Sequence, residues 1–335
     1  MQFPAKNMNS RPEQPEPFLR GAAFRPASGV PYPRARDDAR LPRDTWSQAC
    51  IPAGVRLEFV GDAEAVSIQY QTETDDPGFR GPGGGLSFQL WRDGRLIAEE
   101  KAVVGQGVAT LHLGGAAAER PAVVYLPEIM RPIVLSIQGQ GGSIEAAQPQ
   151  PRWIAYGDSI LEGWTASAPA LGWASIAHRR HQLDLVNMGY AGSARGELAS
   201  AEHVASREAD VYSISHGTNC WSVVPHSTDM VRANLSAFLD LLRAARPEAP
   251  VVVASPVLRP DAESTPNPLG ATLADLRRTM EDTVGERIAR GDDRLSLVMG
   301  EELIDASMLA DGIHPNDEGH MTIAAVLGDA LMAAL

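Results

Sequence analysis

The sequence predicts an α/β protein in which an antiparallel β-sandwich precedes a parallel sheet covered by helices on both faces. Residues 55–138 alternate apolar and polar side chains at period two, which is typical of half-buried strands. Residues 153–335 instead alternate short apolar runs with helical stretches, the pattern of a parallel sheet. The length of 335 residues suits two domains.

The first half is predicted to form short strands separated by Gly and Pro turns. The period-two runs are Leu57 and Phe59; Val66, Ile68 and Tyr70; Leu86, Phe88 and Leu90; and shorter runs at 108–113, 123–126 and 133–137. Asp93-Gly94 between two apolar runs predicts a hairpin, because a type I′ turn needs positive φ at both central residues. The Gly- and Pro-rich residues 76–85 are predicted to be a loop.

The second half is predicted to contain five strands that alternate with helices. The strands are expected at 153–156, 183–187, 211–215, 251–255 and 295–299. Helices are expected around 238–242, from 273 to 288 and from about Asn316 to the end, where Asn316 would be the N-cap. Ligands of such sheets bind beyond the carboxyl ends of the strands.

Composition changes divide the chain into three predicted parts. A Pro-rich segment covers residues 1–25, a β-sandwich accessory domain covers 26–145, and the α/β domain covers 146–335. Residues 141–151 are small, polar and interrupted by Pro, which favours a linker.

The net charge and the apolar pattern exclude some classes of partner. The formal charge is -13, whereas a nucleic-acid-binding protein needs a basic face, so no nucleic-acid partner is expected. No apolar run approaches the ~18 residues of a membrane span, so no membrane partner is expected. The polar first 20 residues lack the pattern of a signal peptide, which predicts a cytoplasmic protein. The sequence does not indicate an oligomeric state.

Four loops carry residues capable of nucleophilic catalysis. They read Tyr156-Gly-Asp-Ser, Asn187-Met-Gly-Tyr-Ala-Gly, His216-Gly-Thr-Asn and Asp311-Gly-Ile-His. Each tripeptide or pair alone is weak, since turns use the same residue types. Their order, three after predicted strands and one before the final helix, is much more specific.

The chemistry explains why these residue types belong together. A serine such as Ser159 needs a base to take its proton, and His314 is the natural candidate. Asp311, three residues earlier, can hold the imidazole tautomer that turns Nε2 towards the serine. The negative charge that develops on an attacked carbonyl needs fixed donors. The N–H groups of Ser159 and Gly192 and the side-chain amide of Asn219 are the predicted oxyanion hole.

These blocks resemble the SGNH (GDSL) hydrolases, which are named for Ser, Gly, Asn and His in four blocks. Ser159, Gly192, Asn219 and His314 match the blocks, and Asp311 matches the acid of the triad. The resemblance covers residues 153–335 and implies a flavodoxin-like three-layer α/β/α fold and a serine esterase without cofactor. Here Cys220 follows the block-three Asn, where many members have Asp.

A narrower resemblance covers nearly the whole chain. Four segments are similar to those of a two-domain subgroup with an N-terminal jelly-roll-like β-sandwich. They are Tyr156-Gly-Asp-Ser, Gly192-Ser-Ala-Arg-Gly-Glu, His216-Gly-Thr-Asn-Cys-Trp and Ser255-Pro-Val-Leu-Arg-Pro. The subgroup includes an acyltransferase of salicylated tetracycline biosynthesis. Two enzymatic hypotheses follow, hydrolysis of a small-molecule or sugar ester, and acyl transfer to an alcohol of a natural product or sugar. A third is an inactive carbohydrate-binding protein. The sandwich would either bind carbohydrate or form a wall of the catalytic cleft.

Further candidates for substrate binding lie near the predicted triad. They are Asp158, Trp164, His216, Trp221 and Arg259. The two Trp side chains would line an acyl pocket or pack in the core. His216 would be a second titrating group or an ordinary hydrogen-bonded His, and Arg259 would grip a substrate anion or form an internal salt bridge. The other histidines show no metal-ligand spacing, so no metal is expected.

Overall fold

The computed structural model describes residues 11–76, 84–115 and 120–335. The strands are β1 (Leu19–Arg20), β2 (Arg56–Gly61), β3 (Ala65–Thr72), β4 (Ser87–Arg92), β5 (Arg95–Lys101), β6 (Gly105–His112), β7 (Ala122–Tyr125), β8 (Ile133–Gln140), β9 (Ile144–Ala146), β10 (Arg152–Gly157), β11 (Asp184–Gly189), β12 (Val211–Ser215), β13 (Val251–Ala254) and β14 (Leu295–Val298). The helices are α1 (Arg43–Ala49), α2 (Ser159–Glu162), α3 (Trp173–His181), α4 (Leu198–Ala205), α5 (Thr218–Trp221), α6 (Thr228–Ala245), α7 (Leu273–Ala289) and α8 (Asp317–Ala334). Of the helices in these ranges, none is both long and apolar enough to cross a membrane.

The second half contains the predicted parallel sheet of five strands. Their order is β11-β10-β12-β13-β14, and every neighbouring pair is parallel. The chain therefore reverses its direction of strand addition after β11, the kind of switch point at which α/β sheets bind ligands. The five strand predictions are confirmed, with ends that differ by one or two residues.

Alternate residues of the strands enter two different cores, one on each face. Trp153 and Ala155 pack with α3 and α8, whereas Ile154 and Tyr156 pack with α4, α6 and α7. The three layers follow from strands that are apolar on both sides and from amphipathic helices. Asn316 caps α8 as predicted, accepting the N–H of Gly319 at 3.0 Å.

The first half forms two antiparallel sheets around a shared apolar core. One sheet has the order β1-β2-β7-β4-β5 with β9 beside β2, and the other has the order β6-β3-β8. Asp93 and Gly94 both have positive φ, 52° and 71°, so the predicted hairpin turn between β4 and β5 is confirmed. The predicted loop at 76–85 lies mostly outside the described residues.

Two segments differ from what their composition indicates. The expected linker at 141–151 contains β9, whose residues pair with Phe59 to Gly61 of β2, because Ile144 is apolar enough to enter the core. Before β2, Ala23, Ala35 and Leu41 are buried in the core of the parallel sheet. The segment of residues 23–49 thus packs on the α/β layers, although its sequence precedes the antiparallel sheets.

Candidate active site

Three predicted residues lie at the same edge of the parallel sheet. Ser159 begins α2 directly after β10, Gly192 follows β11, and Asn219 lies in α5 after β12. β10 is hydrogen-bonded between β11 and β12, and the last residues of the three strands are paired in register. The sheet therefore brings together the loops that carry Ser, Gly and Asn.

The loop before α8 brings the predicted base and acid to the serine. Ser159 Oγ lies 2.8 Å from His314 Nε2, and His314 Nδ1 lies 2.8 Å from Asp311 Oδ2. Asp311 Oδ1 also accepts the backbone N–H groups of Ile313, at 3.0 Å, and His314, at 2.7 Å. The three residues thus form one hydrogen-bonded chain.

The environment of Asp311 determines the tautomer of the histidine. Partial burial works against ionisation, but hydrogen bonds from the side chain and backbone of His314 prevail and lower the pKa of Asp311. The ionised carboxylate can only accept, so His314 Nδ1 carries the proton. Nε2 is left free to accept the proton of Ser159 Oγ–H.

The Gly192 loop offers a backbone donor beside the serine. Gly192 has a φ of 69°, the left-handed region that favours glycine, whereas an added Cβ would meet no atom within 4 Å. Glycine is therefore favoured at position 192 by its backbone conformation and not by lack of space for a side chain. Among the described residues, neither the N–H of Ser159 nor that of Gly192 has a backbone acceptor.

Asn219 is buried and weakly held by the neighbouring loop. Its Nδ2 donates to the carbonyl of Ala194 over 3.4 Å, a long hydrogen bond. The preceding Gly217 has a φ of 133°, and an added Cβ would lie 2.4 Å from Pro256. Glycine is therefore required for the turn that directs Asn219 to this edge of the sheet.

Asp158 is buried, and its carboxylate caps the helix that begins at Ser159. It is the N-cap of α2, and its Oδ1 accepts the N–H of Ile160 at 3.0 Å. Burial raises the pKa of Asp158 to about 7, against the lowering effect of its backbone hydrogen bonds. The geometry supports a capping role that orients the helix of the nucleophile.

Trp164 links His314 to a buried ion pair. Its ring centroid lies 5.2 Å from that of His314, and its Nε1 donates to Glu162 at 3.2 Å. Glu162 is paired with Arg34, and both side chains are fully buried. Arg34 also donates to the carbonyl of Gly189. Arg34, in the N-terminal segment, is thus connected to His314 through Glu162 and Trp164.

The sequence analysis did not select His320, which positions the same tryptophan. Its Nε2 lies 3.0 Å from the carbonyl of Trp164, and its Nδ1 accepts the N–H of Trp173 at 3.2 Å. Burial lowers the pKa of His320 to about 4, so it is neutral. One signal was available, because His320 shares the apolar stripe of α8 with Ile323, Ala324 and Leu327.

Arg195 connects the Gly192 loop to α1. Its Nη1 donates to the carbonyl of Gly192 at 3.0 Å, and its Nη2 donates to Asp44 at 2.7 Å. Nothing in the sequence pattern indicated this bridge, since Asp44 and Arg195 are 151 residues apart.

His216 matches neither expectation completely, because its buried Nδ1 has no hydrogen-bond partner among the described residues. The side chain is buried beside Tyr156, with ring centroids 5.6 Å apart. Burial lowers the pKa of His216 to about 4, so it does not titrate near neutral pH. The lowered pKa does not favour the hypothesis of a second titrating group in the site.

The geometry of Arg259 matches the internal salt bridge. Its Nε and Nη2 donate to the two carboxylate oxygens of Asp261 at 2.9 and 3.1 Å. Its guanidinium also lies 4.8 Å from the ring centroid of Trp221, whose Nε1 donates to Thr265. The side chains of Arg259 and Trp221 therefore both bind groups of the loop that follows β13.

The fold and these loops define an α/β enzyme-type domain with a Ser–His–Asp hydrogen-bonded chain at the carboxyl edge of its sheet. The model of the GDSL-like lipase/acylhydrolase family matches residues 150–332. The chain belongs to this family. Within the described ranges, no three His, Cys, Asp or Glu side chains are grouped to hold a metal ion.

Solved structures resemble the chain over both halves. A salicylyl-acyltransferase from a tetracycline biosynthetic pathway is 24% identical, with a TM-score of 0.78 and coverage of 94% of each chain. A GDSL-like lipase structure from Bacteroides ovatus is 18% identical, with a TM-score of 0.78 and coverage of 94% of this chain and 95% of that one. A family two carbohydrate esterase from Clostridium thermocellum, in complex with cellohexaose, is 18% identical, with a TM-score of 0.61 and coverage of 84% and 93%. No curated protein sequence matches the chain.

Proposed function

We propose that the protein is a serine esterase that acts through an acyl-serine intermediate on a small-molecule or sugar ester. One observation carries the proposal, the continuous chain from Ser159 Oγ through His314 to Asp311, with both hydrogen bonds at 2.8 Å. Family membership supports the same class of reaction.

The first half-reaction forms the acyl-enzyme. As Ser159 Oγ attacks the ester carbonyl, its proton passes to His314 Nε2, and the Asp311 carboxylate stabilises the imidazolium. The carbonyl oxygen becomes negative and accepts hydrogen bonds from the N–H groups of Ser159 and Gly192 and from Asn219 Nδ2. When the intermediate collapses, the C–O bond to the alcohol breaks and His314 returns the proton to the leaving oxygen.

The second half-reaction regenerates the serine. Water attacks the acyl carbon, gives a proton to His314, and the bond to Ser159 Oγ breaks as the proton is returned to it. An alcohol in place of water gives a new ester by the same steps. Acyl transfer is the second candidate, supported by the likeness to the salicylyl-acyltransferase over 94% of each chain.

For the N-terminal half we propose a β-sandwich accessory domain, together with a segment that braces the catalytic loops. Arg34 pairs with Glu162 beneath Trp164, and Asp44 holds Arg195 against the carbonyl of Gly192. These contacts hold α2 and the Gly192 loop in place. They support a role of the N-terminal half in shaping the catalytic cleft over a role in anchoring carbohydrate.

Covalent labelling tests the nucleophile directly. A fluorophosphonate should modify the protein once, and mass spectrometry of the peptides should place the adduct on Ser159. Ser159→Ala should not be labelled, whereas Ser222→Ala, which removes an exposed serine near the same edge, should be labelled normally. An adduct elsewhere, or none on folded protein, would refute the proposal.

Product partition separates the two candidate reactions. The purified enzyme is given p-nitrophenyl acetate with and without a panel of sugar and phenolic alcohols. A release of free acid that no acceptor alters supports the esterase. A new ester that accumulates at the expense of free acid identifies an acyltransferase.

A further inference from the structure

A cavity of about 520 Å³ lies at the opposite end of the parallel sheet from Ser159. It lies between the β4–β5 hairpin and the C-terminal part of α3, next to the first residue of β11. We call it the arginine cleft, and its lining includes Trp91, Arg92, Val123, His178, Arg179 and Arg180. The six-residue strand β11 separates it from the catalytic edge by about 20 Å.

The charges that face the cleft leave a cationic excess. Its two acidic side chains already have partners, since Glu58 pairs with Arg56 at 2.6 Å and Asp93 pairs with Arg120 at 2.8 Å. Among the described residues, no carboxylate lies within salt-bridge distance of the three arginines that line the cleft. A cleft with this balance favours an anionic occupant.

Arg92 is the strongest indication of a missing ligand. The residue is only 3% exposed, and its Nη1 donates to the carbonyl of Leu113 at 3.2 Å. Its Nε and Nη2 are buried without a hydrogen-bond partner among the described residues. Buried charged donors are costly when they are left unpaired. A rotation of the Arg92 side chain that brings them to an oxyanion in the cleft would relieve this cost.

Arg179 is held rigidly at the same cavity. Its guanidinium lies 4.5 Å from the ring centroid of Trp91, and its Nη1 donates to Tyr125 Oη at 2.6 Å. Tyr125 is fixed in turn by His178 Nε2 at 2.9 Å. The Nε of Arg179 is also buried without a partner in the described region. Both arginines that line the cavity therefore carry buried donors that have no partner in the described region.

We propose that the arginine cleft binds a small organic anion through a carboxylate or phosphate group, at a site separate from the catalytic serine. The volume is within the ~300–1,000 Å³ of small-molecule sites. The residues that line the cleft include no Ser, Thr or Cys that could act as a nucleophile.

Calorimetric titration of the full chain tests the proposal with benzoate, citrate and inorganic phosphate, and with neutral benzamide as the matched control. At least one anion should bind with a stoichiometry of one per chain, and benzamide should not. Benzoate, citrate and phosphate together distinguish a carboxylate site from a phosphate site. The absence of saturable binding for all three at millimolar concentration would overturn the proposal.

Variants locate the binding. Arg92→Gln and Arg179→Gln should each weaken binding by about 10-fold or more, because each removes charge-assisted hydrogen bonds. Arg180→Gln, at an exposed position, tests the cleft without perturbing a buried residue. Arg232→Gln, on the remote helix α6, should leave the affinity unchanged. Equal affinity in all three cleft variants, or loss of binding after fluorophosphonate labelling of Ser159, would contradict the proposal.

Discussion

The arginines near the Gly192 loop and those of the arginine cleft, at the two ends of the parallel sheet, differ in their partners. At the carboxyl end, His314 is held by Asp311, and Arg34 and Arg195 are held by carboxylates. At the amino end, Arg92 and Arg179 retain buried donors that have no partner among the described residues. Paired groups fix the geometry of reacting atoms, whereas unpaired donors are available to a ligand.

This difference gives each end its own signature under mutation. Changes at the carboxyl end should alter turnover and leave anion binding at the arginine cleft intact. Changes in the cleft should weaken anion binding and leave turnover unchanged. A variant that alters both functions equally would show that the two ends are not independent.

The largest effect is expected from Ser159→Ala. Removal of the nucleophile should lower kcat for p-nitrophenyl acetate by about 10⁴-fold or more, because the acyl-serine cannot form. The far-UV spectrum and the titration of the arginine cleft should match those of the wild type. Activity within 10-fold of the wild type would show that another group performs the chemistry.

Arg34→Met tests the buried ion pair below the site. Loss of the guanidinium leaves Glu162 as a buried charge, so the free energy of unfolding should fall by about 3–5 kcal/mol. Urea denaturation measures this free energy of unfolding. The double variant Arg34→Met/Glu162→Gln should recover part of that loss, because it also removes the charge of the carboxylate that has lost its guanidinium partner. If the free energy of unfolding does not recover, the effect of Arg34 is due to its hydrogen bonds with backbone carbonyls alone.

Asn219→Ala tests the oxyanion hole. The variant should lower kcat by about 10²–10³-fold with little change in KM, because the amide binds charge that exists only in the transition state. Steady-state kinetics at fixed pH measure both parameters. A raised KM with kcat unchanged would place Asn219 in ground-state binding.

Asp158→Asn tests the burial of the capping carboxyl. The pKa of Asp158 is raised to about 7 in the folded state, above its usual 3.8. The contribution of its protonated carboxyl to the free energy of unfolding is therefore complete below pH 3.8 and is lost as the pH rises towards 7. Between pH 5 and 8, the stability of the Asn variant relative to wild type should rise by about 2–3 kcal/mol. Asn can still cap α2. A pH-independent difference in denaturation midpoints would contradict the raised pKa.

The smallest effect is expected from Asp44→Asn. Its side chain is 47% exposed, so the ion pair with Arg195 contributes less than about 1 kcal/mol. The value of kcat should fall by no more than about fivefold, and 0.5 M salt should reduce the difference from wild type. A larger loss would show that α1 determines the position of Gly192.

The sequence predicted the parallel sheet and the residues at its carboxyl edge because both depend on local patterns. Apolar runs located the five strands, and the loops after them carried Ser159, Gly192 and Asn219. Contacts between distant segments had no such signal. Arg34 and Glu162 are 128 residues apart, and no periodicity relates one to the other. The role of His320 was accessible only through its place on the apolar stripe of α8.

The embedding of residues 23–49 in the α/β core has a consequence for synthesis of the chain. Arg34 leaves the ribosome 128 residues before Glu162, an interval of about 6–25 s at ~5–20 residues per second. For most of that time Ala35 and Leu41 have no parallel sheet to pack on, because β10 and β11 have not yet been made. The segment of residues 23–49 is thus made early, but its packing is completed only during the second half of translation.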